Sequence, residues 1–484
     1  MEIMYKSTRS DSEPVTASQA ILRGFPQDGG LYVPTAIPAL DTDLSELASM
    51  DYRGVAYEVM RLLLTDYTEE ELKACIRGAY DSKFDDELIV PLKKAGDAWY
   101  LELFHGPTIA FKDMALSILP YLMTSAARKN GSGNEIVILT ATSGDTGKAA
   151  LAGFAGVEGT KIMVFYPKHG VSPIQERQMV TTVGANTRVI GINGNFDDAQ
   201  TSVKKLFTDK ALVEEMERNG MQFSSANSIN IGRLTPQIVY YVYAYTRLLA
   251  DGVIEKGDPV NFVVPTGNFG NILAAYYAKL LGSPIRKFIV ASNVNDVLAR
   301  FVKTGVYDPG PNFTVTNSPS MDIRKSSNVE RLLWMISGGL DGDIERACAE
   351  TTRMMKDLAE KGRYELSASA KERLFADFEG GVATPEETEA EMRRMREVAG
   401  YLVDPHTAVA TCVAKKLGLP RGGVPCVVAA TATPYKFPET CFRAYGEDVL
   451  VNPPPSVAEL EKLPVAQTRV CDVAAIDQEV TRLF

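Results

Sequence analysis

Short runs of uninterrupted apolar residues alternate with helix-patterned stretches along most of this chain. The runs at 136–140, 162–166 and 188–192 predict three strands, with helices over 147–154, 173–181 and 197–207 between or after them. A second set, 261–265, 287–291 and 424–430, follows a long predicted helix at 235–250. Val/Ile runs without polar alternation fit strands buried on both faces, hence mostly parallel sheets. Two such sets predict an α/β protein of two parallel-sheet domains with a cleft between them.

The remaining segments read differently. Residues 1–95 are mixed and helix-rich, with Gly29-Gly30-Leu31-Tyr32-Val33-Pro34 a turn into a strand. We expect them to form a cap. Residues 325–400 are strongly charged and helical at 345–361 and 385–396, which predicts a helical insertion with a solvated face. The expected organisation is a cap at 1–95, a larger domain from 96–125 plus 230–484, and a smaller one at 126–229.

Composition narrows the function. The 484 residues are long enough for two or three domains, and the net charge of −10 without a Lys/Arg cluster argues against a nucleic-acid surface. No apolar run is long enough to span a bilayer, and the N-terminus lacks a secretory apolar region, so no membrane role is expected. The six cysteines are scattered and the three histidines lie far apart. Neither a disulfide framework nor a metal site is expected, and a cytoplasmic setting is.

Four loops carry candidate chemistry. In His105-Gly106-Pro107-Thr108-Ile109-Ala110-Phe111-Lys112-Asp113-Met114-Ala115-Leu116, a lysine stands where an apolar loop becomes a helix. The helix dipole and apolar neighbours both favour its free amine, the form that condenses with a carbonyl. Alone, Lys112 also reads as a surface lysine with a buried stem. Pro265-Thr266-Gly267-Asn268-Phe269-Gly270-Asn271-Ile272 follows a strand and opens a helix at 272–281, an anion cradle or a plain turn. Thr140-Ala141-Thr142-Ser143-Gly144-Asp145-Thr146-Gly147-Lys148 is dense in hydroxyls and amides, suited to a carboxylate or phosphate, or to capping a helix. It fails as a nucleotide P-loop, because two residues rather than four separate its glycines and Ala149 follows the lysine. Thr431-Ala432-Thr433-Pro434-Tyr435-Lys436-Phe437 lies where the last strand ends, and offers a hydroxyl for a ring nitrogen or simple strand-end capping. Together they match what pyridoxal phosphate needs.

These motifs resemble threonine synthase of the longer class found in fungi and many bacteria. Further matches are Ser7-Thr8-Arg9, residues 28–34, Asn227-Ser228-Ile229-Asn230 with Arg233, Pro319-Ser320-Met321-Asp322-Ile323, Ser326-Ser327-Asn328 and Asp404-Pro405-His406-Thr407. The resemblance implies a tryptophan synthase β-like fold (pyridoxal-phosphate fold type II) and a Schiff-base lysine at Lys112. It implies cofactor contacts from Gly267, Asn268, Phe269, Gly270 and Asn271, with Thr431 at the pyridine nitrogen and Asp145 near the 3′-oxygen. Thr433 stands where the family usually has histidine. The implied reaction converts O-phospho-L-homoserine and water to L-threonine and phosphate, in a monomer or homodimer. Ser143 and Thr146 are candidates for the substrate carboxylate, and Asn230, Arg233 and Lys436 for its phosphate. Alternatives are a β-eliminase or dehydratase of the same fold, and a related protein that binds without catalysing.

Overall fold

In the computed structural model all residues are described except Met1, Asp11, Ser143, Glu447, Asp448 and Phe484, and the side chains of Phe196, Asp197, Lys204 and Thr208. Two open sheets dominate. One runs edge to edge through Phe378–Val382, Ile285–Ser292, Val260–Pro265, Cys426–Ala430, Ala98–Glu102 and Leu92–Ala95. All its pairings are parallel except the last, an antiparallel hairpin. The other is wholly parallel, through Arg469–Asp472, Thr187–Asn193, Thr160–Pro167, Glu135–Ala141 and Met221–Ser224.

The interior strands are buried along nearly their whole length, as their unbroken apolar runs require. Ile231–Ala250 is buried almost all round and packs on both the Gly270–Leu280 helix and the N-terminal helix Tyr52–Met60. Tyr52 and Tyr243 meet edge to face at 5.2 Å across that contact.

Strand pairing differs from the expected organisation at three segments. Leu92–Ala95, placed in the cap, forms the sheet-edge hairpin with Ala98–Glu102. The region 325–400 is not only helical, because Phe378–Val382 pairs in parallel with Ile285–Ser292 and extends the first sheet. Gly380 and Gly381 in that strand, where a Cβ would meet Ala299 and Val413, hid it from a period-based reading. The stretch Arg469–Asp472, expected with the larger sheet, instead adds to the smaller one beside Thr187–Asn193. It is largely exposed and only four residues long, so its run carries no buried-strand signal.

Candidate active site

The four loops converge, because each leaves the carboxyl end of a strand in one of the two sheets, where ligand crevices form in α/β folds. Lys112 is the cap residue of the short helix Asp113–Leu116. The chain before it is pinned to the 431–433 segment: the Phe111 amide donates to the Thr431 carbonyl at 2.8 Å, the Thr433 amide to the Ile109 carbonyl at 3.3 Å. Ile109 accepts a left-handed φ of 55° to make this turn. Only 15% of the Lys112 side chain is exposed, and burial, aided by the nearby Lys436 and Arg233 cations, lowers its amine below the ordinary lysine range.

Asp145 is the counter-ion of the site. It opens the Asp145–Phe154 helix, whose first turn is capped by Thr142 Oγ1 accepting from the Gly144 and Gly147 amides. Its Oδ2 lies 3.5 Å from Lys112 Nζ and accepts from Ser320 Oγ at 3.3 Å. Its Oδ1 lies 3.2 Å from Lys436 Nζ and accepts from Gln175 Nε2 at 2.9 Å. Burial alone would raise this carboxyl, but the Lys436 and Lys112 ammoniums and Gln175 outweigh it and hold it well below the usual range. Asp145 therefore stays anionic and ties the two sheets' loops together.

The loop at 265–271 leads into a helix start. Phe269, at φ 63°, starts the Gly270–Leu280 helix, so the first free amides of an eleven-residue helix face the loop. Gly267 is required by crowding, since a Cβ there would lie 2.7 Å from the Ser320 carbonyl oxygen. Ser326 Oγ donates to the Gly267 carbonyl at 2.8 Å, and the Asn328 amide and side chain both donate to the Asn268 carbonyl. The buried Asn271 Nδ2 has no partner among the described residues, while Asn271 Oδ1 accepts from two tyrosines. An unpartnered donor, free helix amides and a glycine with no room for a side chain fit a phosphate group. Thr431 is buried directly after its strand, and Thr433 Oγ1 is buried with no hydrogen-bond partner among the described residues.

The candidates for substrate contact divide. Arg233 is buried, with Nη1 donating to the Ala226 carbonyl at 2.6 Å and Nε without a partner among the described residues. Burial pushes its guanidinium down to about 10, which leaves it charged at neutral pH. Asn230 does not behave as a phosphate contact. Its Nδ2 donates to the Ile21 and Ser225 carbonyls, each at 2.9 Å, and its Oδ1 caps the helix through the Gly232 amide. An Asn just before a helix carries that capping signal in the sequence. Lys436, fully buried, points its ammonium at the Thr108 carbonyl (2.9 Å), Gln178 Oε1 (3.3 Å) and Asp145, which occupies all three hydrogens. Thr146 lies partly exposed at the helix start, and Ser143 lies outside the described residues.

Several residues with no assigned role join the site. Ser320 is held by His406: its amide donates to His406 Nε2 at 3.1 Å, which puts the ring proton on Nδ1, 2.7 Å from Asp404 Oδ2. Gln175 and Gln178 come from the Pro173–Val180 helix and read in sequence as ordinary helix polar residues. Lys148, next to the glycine loop, donates to Thr182 Oγ1 at 3.2 Å, and burial together with Lys436 pushes it down to about 8.

Comparison with known proteins accounts for nearly the whole chain. Residues 4–80 match the family described as "Threonine synthase N terminus", 92–383 "Pyridoxal-phosphate dependent enzyme" and 407–483 "Threonine synthase, C-terminal". The chain is 37% identical to a threonine synthase of Eremothecium gossypii, with 96% of this chain and 94% of that protein covered. It is 38% identical to one of Pseudomonas aeruginosa, covering 91% of this chain and 90% of that protein. A crystal structure of threonine synthase from Brucella melitensis, with pyridoxal phosphate bound, superposes with a TM-score of 0.90 at 35% identity over 99% of each chain.

Proposed function

The chain belongs to the threonine synthase family, and from that premise we propose how its residues divide the conversion of O-phospho-L-homoserine and water to L-threonine and phosphate. Pyridoxal 5′-phosphate, when bound, supplies the electron sink for proton loss from carbons near the substrate amino group. Gly267, Asn268, Phe269, Gly270 and Asn271 would hold its phosphate, and Thr431 would hydrogen-bond its ring nitrogen without protonating it. Lys112 would carry its aldehyde carbon.

Lys112 Nζ is the group that takes the proton from the substrate Cα. Burial lowers its amine below the ordinary lysine range, which favours the unprotonated form, and Asp145 steadies the ammonium after transfer. Asp145 is a poor competing base, because the Lys436 ammonium and the Gln175 hydrogen bond keep its affinity for a proton well below that of an ordinary carboxylate. Arg233, whose Nε has no partner among the described residues, would bind the substrate phosphate, and its fixed charge would favour departure of the dianion. Thr146, at the start of the Asp145–Phe154 helix, would take the substrate carboxylate.

The observation that carries this reading is the buried Lys112–Asp145 pair at 3.5 Å, set between a free-amide cradle and an arginine with an unpartnered nitrogen. The test is phosphate release from O-phospho-L-homoserine with threonine identified as the product. Release of a keto acid and ammonia in place of threonine would assign a dehydratase. We also infer a reducing, cytoplasmic setting, supported by six cysteines that form no disulfide among the described residues, five of them buried.

A further inference from the structure

Asn271 is held in a way that the cradle alone does not explain. A side-chain amide can turn over, exchanging its acceptor for its donors, and only one of the two orientations suits a phosphate. With Nδ2 toward the cradle it donates to the anion; with Oδ1 there it repels it. In the structure Oδ1 accepts from the hydroxyl of Tyr240 at 2.5 Å and of Tyr241 at 2.7 Å, and Nδ2 is left without a partner. Asn271 is 8% exposed and both tyrosines are fully buried, so solvent has little access to the oxygen.

Both tyrosines belong to one face of the Ile231–Ala250 helix, continuous with Arg233 and Gln237 at spacings of three and four. Gln237 Nε2 donates to the Arg233 carbonyl at 2.7 Å, which turns Gln237 Oε1 toward the Tyr240 hydroxyl at 3.1 Å. Tyr240 has one hydrogen and two acceptors, and the Asn271 oxygen is the nearer. No such competing acceptor is found for Tyr241 among the described residues. Burial raises both phenols well above their usual range, so each remains a donor at any pH at which the protein works.

We propose that Tyr240 and Tyr241 are positioning residues for the cofactor phosphate: by donating together to Asn271 Oδ1 they keep Nδ2 aimed into the cradle. The phenols act through the asparagine and touch neither substrate nor ring. With one removed, the amide turns over more freely, and with Tyr241 removed the remaining donor is shared with Gln237.

The inference rests on reading residues 265–271 as the phosphate cradle, and one experiment tests the two separately. The full-length chain, stripped of cofactor, is titrated with pyridoxal 5′-phosphate and with pyridoxal, which lacks the phosphate, and each Kd is read from the absorbance of the lysine adduct. In the native protein the phosphorylated aldehyde binds far more tightly; equal affinities would reject the cradle itself. In Tyr241→Phe the Kd for pyridoxal 5′-phosphate rises by about tenfold or more, the loss of one hydrogen bond to a charged group, while that for pyridoxal stays within about twofold. Weakening of both aldehydes by one factor, or of neither, overturns the proposal. Tyr240→Phe reads the same ratio should the first variant fail to fold, and a ratio at the native value there overturns it equally.

Discussion

Lys112 shows how a single side chain acquires its chemistry from its surroundings. Its amine is lowered chiefly by burial, and Asp145 is the only carboxylate paired with it among the described residues. Lys112→Ala is expected to reduce turnover by about 10³-fold or more, with loss of the borohydride-reducible cofactor adduct. Arg233→Lys keeps the charge and removes the fork. We expect KM for O-phospho-L-homoserine to rise about tenfold while cofactor occupancy, read by absorbance, is unchanged. His105 gives a pH prediction. Its ring lies 2.6 Å from Asp85 Oδ1 and 3.0 Å from Glu102 Oε2. Burial opposes its charge, but these two carboxylates outweigh it and raise it to about 9. A histidine raised in the folded state contributes all its stability below its unfolded value near 6.5 and loses it as pH climbs through about 9. With Asp85 43% exposed, solvent screening limits the contribution to on the order of 1–2 kcal/mol. Urea denaturation from pH 6 to pH 10 should show an alkaline decline that His105→Gln flattens.

Among the elements, the strap at 320–328 is the part of the site least expected from local pattern. It contributes no strand, yet Ser320 reaches Asp145, Ser326 holds the Gly267 carbonyl and Asn328 holds that of Asn268. Gly267→Ala would drive a Cβ to 2.7 Å from the Ser320 carbonyl, a backbone atom that cannot swing aside. The strap must shift, at roughly 1–3 kcal/mol, and cofactor content per chain should fall with it. The helices and strands around this strap were legible, because Val260–Pro265 and Glu135–Ala141 bury nearly every side chain and show it as unbroken apolar runs. The strap was legible only as motif matches, since its partners are two backbone carbonyls and a carboxylate far away along the chain. Phe378–Val382 escaped for a related reason: its two glycines replace side chains where neighbouring elements come close.

Across the whole molecule, a charged cluster around Glu330 helps tie the N-terminal segment to the catalytic half. Arg9 donates from Nε and Nη2 to the two oxygens of Glu330, both at 2.8 Å, and Thr8 Oγ1 donates to the same carboxylate at 2.6 Å. Glu330 is 7% exposed and precedes Arg331, whose buried guanidinium reaches the Tyr32 carbonyl in the N-terminal segment and Asn328 in the strap. Arg9→Met would leave a buried carboxylate with one donor fewer on each oxygen. It is expected to destabilise the protein by about 2–3 kcal/mol in chemical denaturation, with part of the loss recovered by adding Glu330→Gln. A loss not reduced in the double variant would mean that the ion pair is not what joins the two parts.

The chain by itself determined the α/β class, the buried strands and the four loops, because apolar burial and backbone turns leave their mark within a few neighbouring residues. It also carried the family match on which the chemistry rests. Which polar groups would meet was decided by folding. Asn230 turned to its own helix and to the Ile21 carbonyl, Lys436 to Asp145, and Ser320 to a carboxylate 175 residues away. A buried donor must find an acceptor, but the acceptor can lie anywhere along the chain, and only the packed molecule brings the two within reach.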